Sequence, residues 1–278
     1  MGADYDAAVK SVEERLSKKA CRIQIPMGAE DDMRGVVDLI TMKSYTFAGE
    51  MGTDVTEADI PEEFVAEATK RRSELVERVV EHDDALMEAF LEGNEPSNED
   101  LKRVLRVAVL ANEIFPVMAG TALQNIGVQL VLDAVVDYLP SPLDLPDILG
   151  TDVKDEEKEI TRKPADEEPL SALVFKLQDD KFVGQLAFFR VYSGTMKSGT
   201  YIMNSSTGNK ERVGRIVRLM ADKREEVEEV YAGEIAAAVG IKEVKTSHTL
   251  CSVEAPILLE TITFPAPVVA VRVEPKTK

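Results

Sequence analysis

The hydrophobic periodicity of the chain changes near Pro169, and this change divides the 278 residues into two parts of different fold class. Before Pro169, apolar residues recur at helical spacing in stretches that alternate with short strands, which predicts an α/β part. After it, short apolar segments alternate with Gly-bearing turns at a spacing of about 8–12 residues, which is typical of a closed β-sandwich or barrel. We therefore predict a multi-domain protein, α/β first and all-β second.

Helix and strand signals can be placed along both parts. In the first part, Ser97 is a candidate N-cap, and Pro140 and Pro142 end the last predicted helix. That helix carries Val128, Val131, Val135 and Leu139 on one face. The predicted helices are Tyr5–Leu16, one from Pro61, Asp84–Leu91, one from Ser97 and Val128–Leu139, with short strands in Cys21–Pro26, Gly35–Phe47 and Ile114–Met118. The predicted strands of the second part are Leu173–Leu177, Leu186–Tyr192, Tyr201–Met203, Val213–Leu219, Glu234–Val239 and Val268–Val273.

The charge is strongly acidic but unevenly distributed. The formal net charge is −18, which argues against a general nucleic-acid binder because phosphate contacts need Lys and Arg. Residues 1–150 contain 30 acidic and 14 basic residues, whereas residues 151–278 contain 21 and 19. The stretch Lys176–Arg224 has ten basic and four acidic residues. One part therefore repels phosphate, while a section of the other can attract it.

Cysteine usage and hydropathy indicate a cytoplasmic protein. No apolar run reaches the roughly 18 residues that a membrane span needs, so we expect no membrane partner. Cys21 and Cys251 lie far apart and lack metal-ligand spacing. Two lone thiols favour a reducing compartment, with both side chains serving as small buried hydrophobes.

Catalytic and metal-binding patterns are weak. The chain contains no G-x-x-x-x-G-K-[ST] phosphate loop, and the two D-x-x-G matches, Asp32–Gly35 and Asp147–Gly150, are too short to carry meaning. His82 and His248 are better explained as solvated residues than as catalysts. The pairs Asp83-Asp84 and Asp179-Asp180 are common loop carboxylates. We therefore predict no catalytic residue, no metal site and no cofactor in this chain.

Longer stretches carry a resemblance to a known family. The loop Gly120–Gly127 precedes a helix that ends in Asp137–Pro142, and residues 180–199 read DKFVGQLAFFRVYSGTMKSG. The further matching stretches are Gly214–Ile216, Lys223–Val227, Ala232–Gly240 and Val273–Thr277. In this order they resemble the guanine-contacting loop, the last G-domain helix and the following barrel domain of bacterial elongation factor G, a translational GTPase.

The resemblance implies a domain organisation. The expected segments are 1–20 and 111–142 as the C-terminal part of a G domain, 21–110 as an inserted α+β subdomain, 143–168 as a linker, 169–275 as a translation-factor β-barrel and 276–278 as the start of a connection to further domains. In the family, the phosphate loop, the switch regions and the N-K-x-D motif lie N-terminal to the region that resembles this chain. We therefore expect an internal fragment that is inactive alone, from a parent that binds GTP and Mg²⁺.

By the same resemblance, Gly120, Thr121, Ala122 and Leu123 form a partial guanine-binding loop. The backbone N–H of Ala122 is implied to meet the guanine oxygen, which needs no particular side chain. Gln124 and Ile126 stand where the family usually has lysines, so a lysine stem against the guanine ring is absent.

The resemblance also implies that the protein is a monomer that acts on the ribosome during translocation of tRNA and mRNA. Arg190, Lys197, Arg215 and Arg218 are candidate contacts to small-subunit rRNA, with solvated strand residues as the alternative. Candidate contacts to the ribosomal stalk protein are Glu62, Glu63, Glu67, Glu74 and Glu77, with a merely soluble acidic surface as the alternative. Alternative functions are a ribosome-protection, release-factor or recycling GTPase, or an acidic interaction module without enzymatic activity.

Overall fold

The computed structural model describes residues 2–155, 157–180, 184–221, 223–263, 265, 269, 271–272, 274 and 276. The backbone contacts divide the chain into two compact units, 1–140 and 141–278. Each unit has its own apolar core, so each is described by itself.

The first unit is α/β. Its helices are α1 (Tyr5–Arg15), α2 (Glu62–Val80), α3 (Asp84–Leu91), α4 (Asn98–Leu110) and α5 (Val128–Tyr138). Its strands are β1 (Ala20–Arg22), β2 (Gln24–Met27), β3 (Gly35–Asp38), β4 (Lys43–Ala48), β5 (Asp54–Ala58) and β6 (Phe115–Val117).

Side-chain caps fix where three of these helices begin. The carboxylate of Asp4 accepts from the Ala7 N–H at the start of α1, and Asp83 does the same for Leu86 in α3. Ser97 Oγ accepts from the Asp100 N–H and caps α4, as predicted. Each cap satisfies a backbone donor that the first helical turn leaves open.

Two sheets organise the first unit. Strands β2, β3, β4 and β5 form an antiparallel sheet in chain order, while β1 and β6 form a separate parallel pair. The core of the unit contains side chains from the β2–β3 hairpin and from one face each of α2 and α4, among them Ile25, Leu75 and Leu105. Strand β5, which the sequence pattern did not reveal, is exposed at every residue and therefore carries no apolar alternation.

Helix α5 leaves most of its apolar face exposed. Tyr138 is its one buried residue, whereas Val131, Val135 and Leu139, on the apolar face identified from the sequence, are exposed. Leu132 and Val136 are also open, and Val136 is 78% exposed. The apolar pattern predicted the helix correctly, but an apolar face by itself does not show how much of it is covered.

The second unit is β-rich. Its first strands are β7 (Ile148–Thr151), β8 (Glu159–Arg162), β9 (Ser171–Asp180), β10 (Gly184–Ser193), β11 (Met196–Lys197), β12 (Tyr201–Asn204) and β13 (Asn209–Arg212). They are followed by β14 (Arg215–Met220), β15 (Lys223–Val227), β16 (Glu229–Val230), β17 (Ile235–Val239), β18 (Thr249–Cys251) and β19 (Leu258–Leu259).

The stretch 143–168, expected as a linker, contains structure. Strands β7 and β8 pair with each other, and β19 pairs with β7, which makes a three-stranded antiparallel sheet. The Arg162 side chain lies buried in this region. Charged and proline residues in the sequence obscured two short strands whose partner, β19, lies about a hundred residues further along the chain.

The main sheet of the second unit has eight strands in the order β13-β12-β18-β9-β10-β17-β14-β15, and every pair in it is antiparallel. Ile202 of β12 and Ile216 of β14 belong to one core cluster although five inter-strand steps separate them. In a flat sheet those steps would place them roughly 24 Å apart, at about 4.8 Å a step. The sheet is therefore strongly curled around the core, which confirms the predicted change to an all-β part. Half of the residues of the predicted strand Val268–Val273 lie outside those described.

Candidate functional sites

The loop between β6 and α5 is a small closed turn. Thr121 and Ile126 exchange two backbone hydrogen bonds, each with an N–O distance of 3.0 Å. At the tip, the Asn125 N–H donates to the Ala122 carbonyl. Leu123 is 92% exposed, an unusual position for a leucine. The turn therefore presents the backbone of its tip outward.

Two residues in left-handed backbone conformations shape this loop. Asn125 has φ 58°, which asparagine tolerates better than most residues. Gly127 has φ 82° and is the N-cap of α5. A Cβ at Gly127 would lie 2.9 Å from the Ala119 carbonyl oxygen, so a side chain there is excluded. The sequence N-x-G thus sets the path from the loop into the helix.

All four residues of the predicted guanine loop lie on this turn. Gly120 and Thr121 form its first arm, while Ala122 and Leu123 are at the exposed tip. Among the described residues, the N–H of Ala122 donates to no other protein group. An exposed, unused backbone donor at the tip of a fixed turn is suited to a carbonyl oxygen of a ligand.

The four basic candidates of the second unit are divided by the structure. Arg190 of β10 lies opposite Ile235 of β17, and Arg215 of β14 lies opposite Val239, so both point to one face of the sheet. Arg218 is three residues after Arg215 and therefore points to the opposite face. Lys197 lies on β11, in a separate two-stranded sheet. Only Arg190 and Arg215 share a surface through the main sheet.

Three of these four basic side chains have acidic neighbours. Lys197 Nζ lies 3.0 Å from Glu229, and Arg218 lies 2.6 Å from Glu234. Hydrogen bonds from the Tyr231 hydroxyl and, to a lesser extent, from Lys197 lower the pKa of Glu229. Arg215 has a looser contact, 3.8 Å, to Glu226. Such exposed pairs contribute little to stability and can exchange partners.

Aromatic and basic residues share the face of Arg190 and Arg215, which we call the outer barrel face (Lys176, Phe188, Arg190, Tyr192 and Arg215). Lys176 lies opposite Phe188 in the β9–β10 register, with its Nζ 5.4 Å from the ring centroid. The Arg190 guanidinium lies 5.6 Å from the Tyr192 ring centroid. Sequence reasoning did not single out Lys176, Phe188 and Tyr192; the even-numbered alternation along β10 was the signal for the last two.

The five acidic candidates of α2 lie on one side of the helix. Residues advance by about 100° each along a helix, which places all five within an arc of about 140°. All are exposed, opposite a face that buries Ala68 and Leu75. Arg34 pairs with Glu63, and Arg71 pairs with Glu67 and Glu74. The acidic side is therefore partly neutralised by the chain's own arginines.

The histidines and paired carboxylates have structural roles or lie in solvent. His82 is exposed. His248 is partly buried, and its Nδ1 contacts the Asn204 side-chain amide at 3.1 Å and the Lys245 N–H at 3.2 Å. It therefore holds a turn rather than standing in solvent. Asp83 caps α3, and Asp180 pairs with Arg224.

The remaining sequence signals also resolve into structure. Both cysteines are buried and free, and burial raises the pKa of Cys21 to about 11, so its thiol is inert. The two D-x-x-G matches lie in different units, one leading into β3 and one in β7. Within the part of the chain that is described, no group of three His, Cys, Asp or Glu side chains is placed to hold a metal ion. None of the described helices is both long and apolar enough to cross a bilayer.

Comparison with known proteins relates part of the second unit to a known family of domains. Residues 169–253, which contain all eight strands of the curled sheet, match the family model described as elongation factor G domain 2. This stretch of the second unit is therefore similar to domain 2 of elongation factor G. The chain as a whole is similar to a crystal structure of a protein from Thermus thermophilus, at 26% sequence identity and a TM-score of 0.75. The match covers 96% of this chain but 37% of that protein, so the chain spans little more than a third of its length.

Proposed function

We propose that this chain is part of a ribosome-dependent GTPase that promotes translocation of tRNA and mRNA during translation. The match of residues 169–253 to the elongation factor G domain 2 model carries the proposal. It gains support from the order of elements, because a closed turn with an outward backbone donor and a helix precede that domain, in the order that the resemblance implies. The GTP and Mg²⁺ would be held mainly by residues outside this chain.

Two features of the first unit support the proposal, namely its small parallel sheet and the exposed apolar residues of α5. Parallel sheets are normally buried on both faces and rarely consist of two strands. The pair β1–β6 is parallel and has two strands. Helix α5 exposes Val131, Leu132, Val135 and Val136. Both features fit the edge of a larger α/β domain whose remaining strands and phosphate loop belong to the parent protein.

The sequence encoded upstream of Met1 provides the most economical test. We expect a G-x-x-x-x-G-K-[ST] loop and an N-K-x-D motif within that reading frame, because one backbone turn cannot hold a triphosphate. An upstream frame without either motif would remove the GTPase proposal and favour the acidic interaction module instead. Ribosome-protection, release-factor and recycling GTPases would be separated from a translocase by assaying translocation itself.

The outer barrel face is the proposed contact to small-subunit rRNA. Its cations supply affinity for phosphate without reading sequence, and its aromatic rings offer stacking surfaces for unpaired bases. The test is the ribosome affinity of the complete protein carrying Arg190→Glu with Arg215→Glu, measured across a salt series. Each lost phosphate contact is expected to lower the slope of log affinity against log salt by about 0.7–0.9.

The matched control is Arg212→Glu, an exposed arginine on β13 at the other end of the sheet order. We expect this change to leave the salt slope near that of the unaltered protein. Equal slopes for all three proteins would show that the outer barrel face does not contact rRNA.

The acidic side of α2 is proposed to meet the ribosomal stalk protein. A basic patch on the partner would be steered by this charge. Titration of the isolated C-terminal domain of the stalk protein into the chain, followed by amide NMR signals, tests the contact. We expect shifts along the exposed side of α2, and unshifted α2 signals would count against this partner.

A further inference from the structure

The turn between β4 and β5 is in direct contact with the loop that precedes α5. The Asn125 side-chain amide donates to the Met51 carbonyl. The Gln129 side-chain amide donates to the Gly52 carbonyl with an N–O distance of 2.7 Å. Two consecutive carbonyls of one turn are therefore bonded by two side chains that flank Gly127. The sequence separations are 74 and 77 residues, so this is a tertiary contact.

The contact is also tight on the backbone side. Gly52 is buried, and a Cβ there would lie 2.9 Å from the Asn125 carbonyl oxygen. The orientation of the Gln129 amide is fixed by chemistry, because only its NH₂ group can donate to a carbonyl. Its Oε1 is buried and accepts no hydrogen bond from the described residues. Among the described residues, the Gly52 carbonyl is therefore the one hydrogen-bond partner of this partly buried amide.

We propose that Asn125 and Gln129 are positioning residues through which the β4–β5 turn controls the conformation of the Gly120–Gly127 loop. This inference rests on the proposed function, in which that loop contacts guanine. The Asn125 bond ties the loop, and the Gln129 bond ties the first turn of α5, to the segment 21–110, whose α2 carries the acidic side. Movement of the β4–β5 hairpin would release the loop, loosen the Ala122 donor and speed nucleotide release.

The first experiment uses this chain alone and measures amide hydrogen exchange of Thr121 and Ile126, whose N–H groups close the loop. Gln129→Leu removes the donor and keeps the approximate size of the side chain. We expect about tenfold faster exchange at both amides, the factor that corresponds to about 1.4 kcal/mol. Gln129→Lys retains a donor of similar reach and should restore much of the protection.

Two further variants guard against misinterpretation. Gly52→Ala perturbs the same contact from the opposite side and should also accelerate exchange at Thr121 and Ile126. Gln178→Leu makes the same chemical change on an exposed residue of β9 and should not. Unchanged exchange at the two loop amides in both Gln129→Leu and Gly52→Ala would overturn the proposal.

The second experiment measures GDP dissociation from the protein encoded by the complete reading frame. We expect Gln129→Leu to speed dissociation about tenfold and Gln129→Lys to restore it in part. Faster loop exchange with an unaltered dissociation rate would refute the control of nucleotide release by this turn. A complete protein that binds no GDP would instead refute the proposed function, while the exchange experiment would still decide whether the turn holds the loop.

Discussion

Arg162 is expected to be the most sensitive cation of the second unit, although it lies in the stretch that the sequence suggested was a linker. It is 6% exposed. Its guanidinium donates to the Pro169 carbonyl at 3.1 Å, to the Leu170 carbonyl at 2.9 Å and to the Ala255 carbonyl. It therefore joins β8 to the chain entering β9 and to the segment before β19.

Arg162→Met keeps most of the apolar stem but leaves three carbonyl groups without this donor. The Pro169 carbonyl keeps the Ser193 hydroxyl as a donor and the Leu170 carbonyl keeps the Ser252 N–H, so among the described residues the Ala255 carbonyl alone loses its donor. A buried polar group left unpaired costs about 1–3 kcal/mol. Burial of the charge offsets part of that cost, since desolvation lowers the pKa of Arg162. We expect a net loss of about 1–3 kcal/mol in the free energy of unfolding of the second unit. At a urea dependence of about 2 kcal/mol per molar, the midpoint falls by roughly 0.5–1.5 M.

The assay is urea unfolding of the chain, followed by amide NMR signals of β9 and β10. Lys163→Met is the matched control, because Lys163 is the adjacent residue and is exposed; it should change stability by no more than about 0.5 kcal/mol. Arg162→Lys keeps the charge but cannot reach three carbonyls and should be intermediate. If Arg162→Met and Lys163→Met unfold at the same urea concentration, the role assigned to Arg162 is wrong.

Three other predictions concern the two cores and the nucleotide. Phe189→Ala removes a side chain with 0% exposure in β10 and should lower the free energy of unfolding of the second unit by about 3–5 kcal/mol. Phe175→Ala removes a partly exposed ring and should lower it by less than about 1 kcal/mol. Urea unfolding of both variants checks this difference. The Cys21 pKa of about 11 lies above the value of 9.0 expected in the unfolded chain, so the thiol ionises first in the unfolded state as the pH rises. The first unit should therefore lose stability between about pH 9 and pH 11. Cys21→Ala should reduce this loss. A first unit with the same alkaline loss in Cys21→Ala would place the titration elsewhere. Calorimetric titration of GTP into this chain should give no binding heat, because a single turn supplies no phosphate cradle.

Local signals in the sequence predicted the helices well. Asp84–Leu91 was placed correctly and Ser97 was identified as a cap, because capping and apolar periodicity are encoded within a few residues. The long strands β9 and β10 were also evident from their apolar segments. These elements depend little on distant partners.

Elements that depend on distant partners were missed. Strands β7 and β8 are stabilised by β19 and by the reach of Arg162 to Ala255, neither of which local periodicity reveals. The exposure of the apolar side chains of α5 could not be predicted either, because an apolar stripe does not show which element, if any, packs on it. The Gln129–Gly52 contact joins residues far apart in sequence and has no local signature.

The candidate sites divide along the same line. The loop at 120–127 was singled out from sequence by its resemblance to a family motif that lies within eight residues, and its contact with guanine stays a prediction. The outer barrel face was found only in part, since its members lie on three strands and meet through sheet register.

GTP hydrolysis by the protein encoded by the complete reading frame, measured with and without ribosomes, tests the central claim most directly. If the catalytic arrangement of the nucleotide pocket is completed only on ribosome binding, the protein hydrolyses GTP slowly by itself. Addition of ribosomes then increases the rate by several orders of magnitude. The account predicts that increase, and it predicts that Arg190→Glu with Arg215→Glu shifts the response to higher ribosome concentration. A complete protein whose hydrolysis of GTP is absent, or is the same with and without ribosomes, would contradict it.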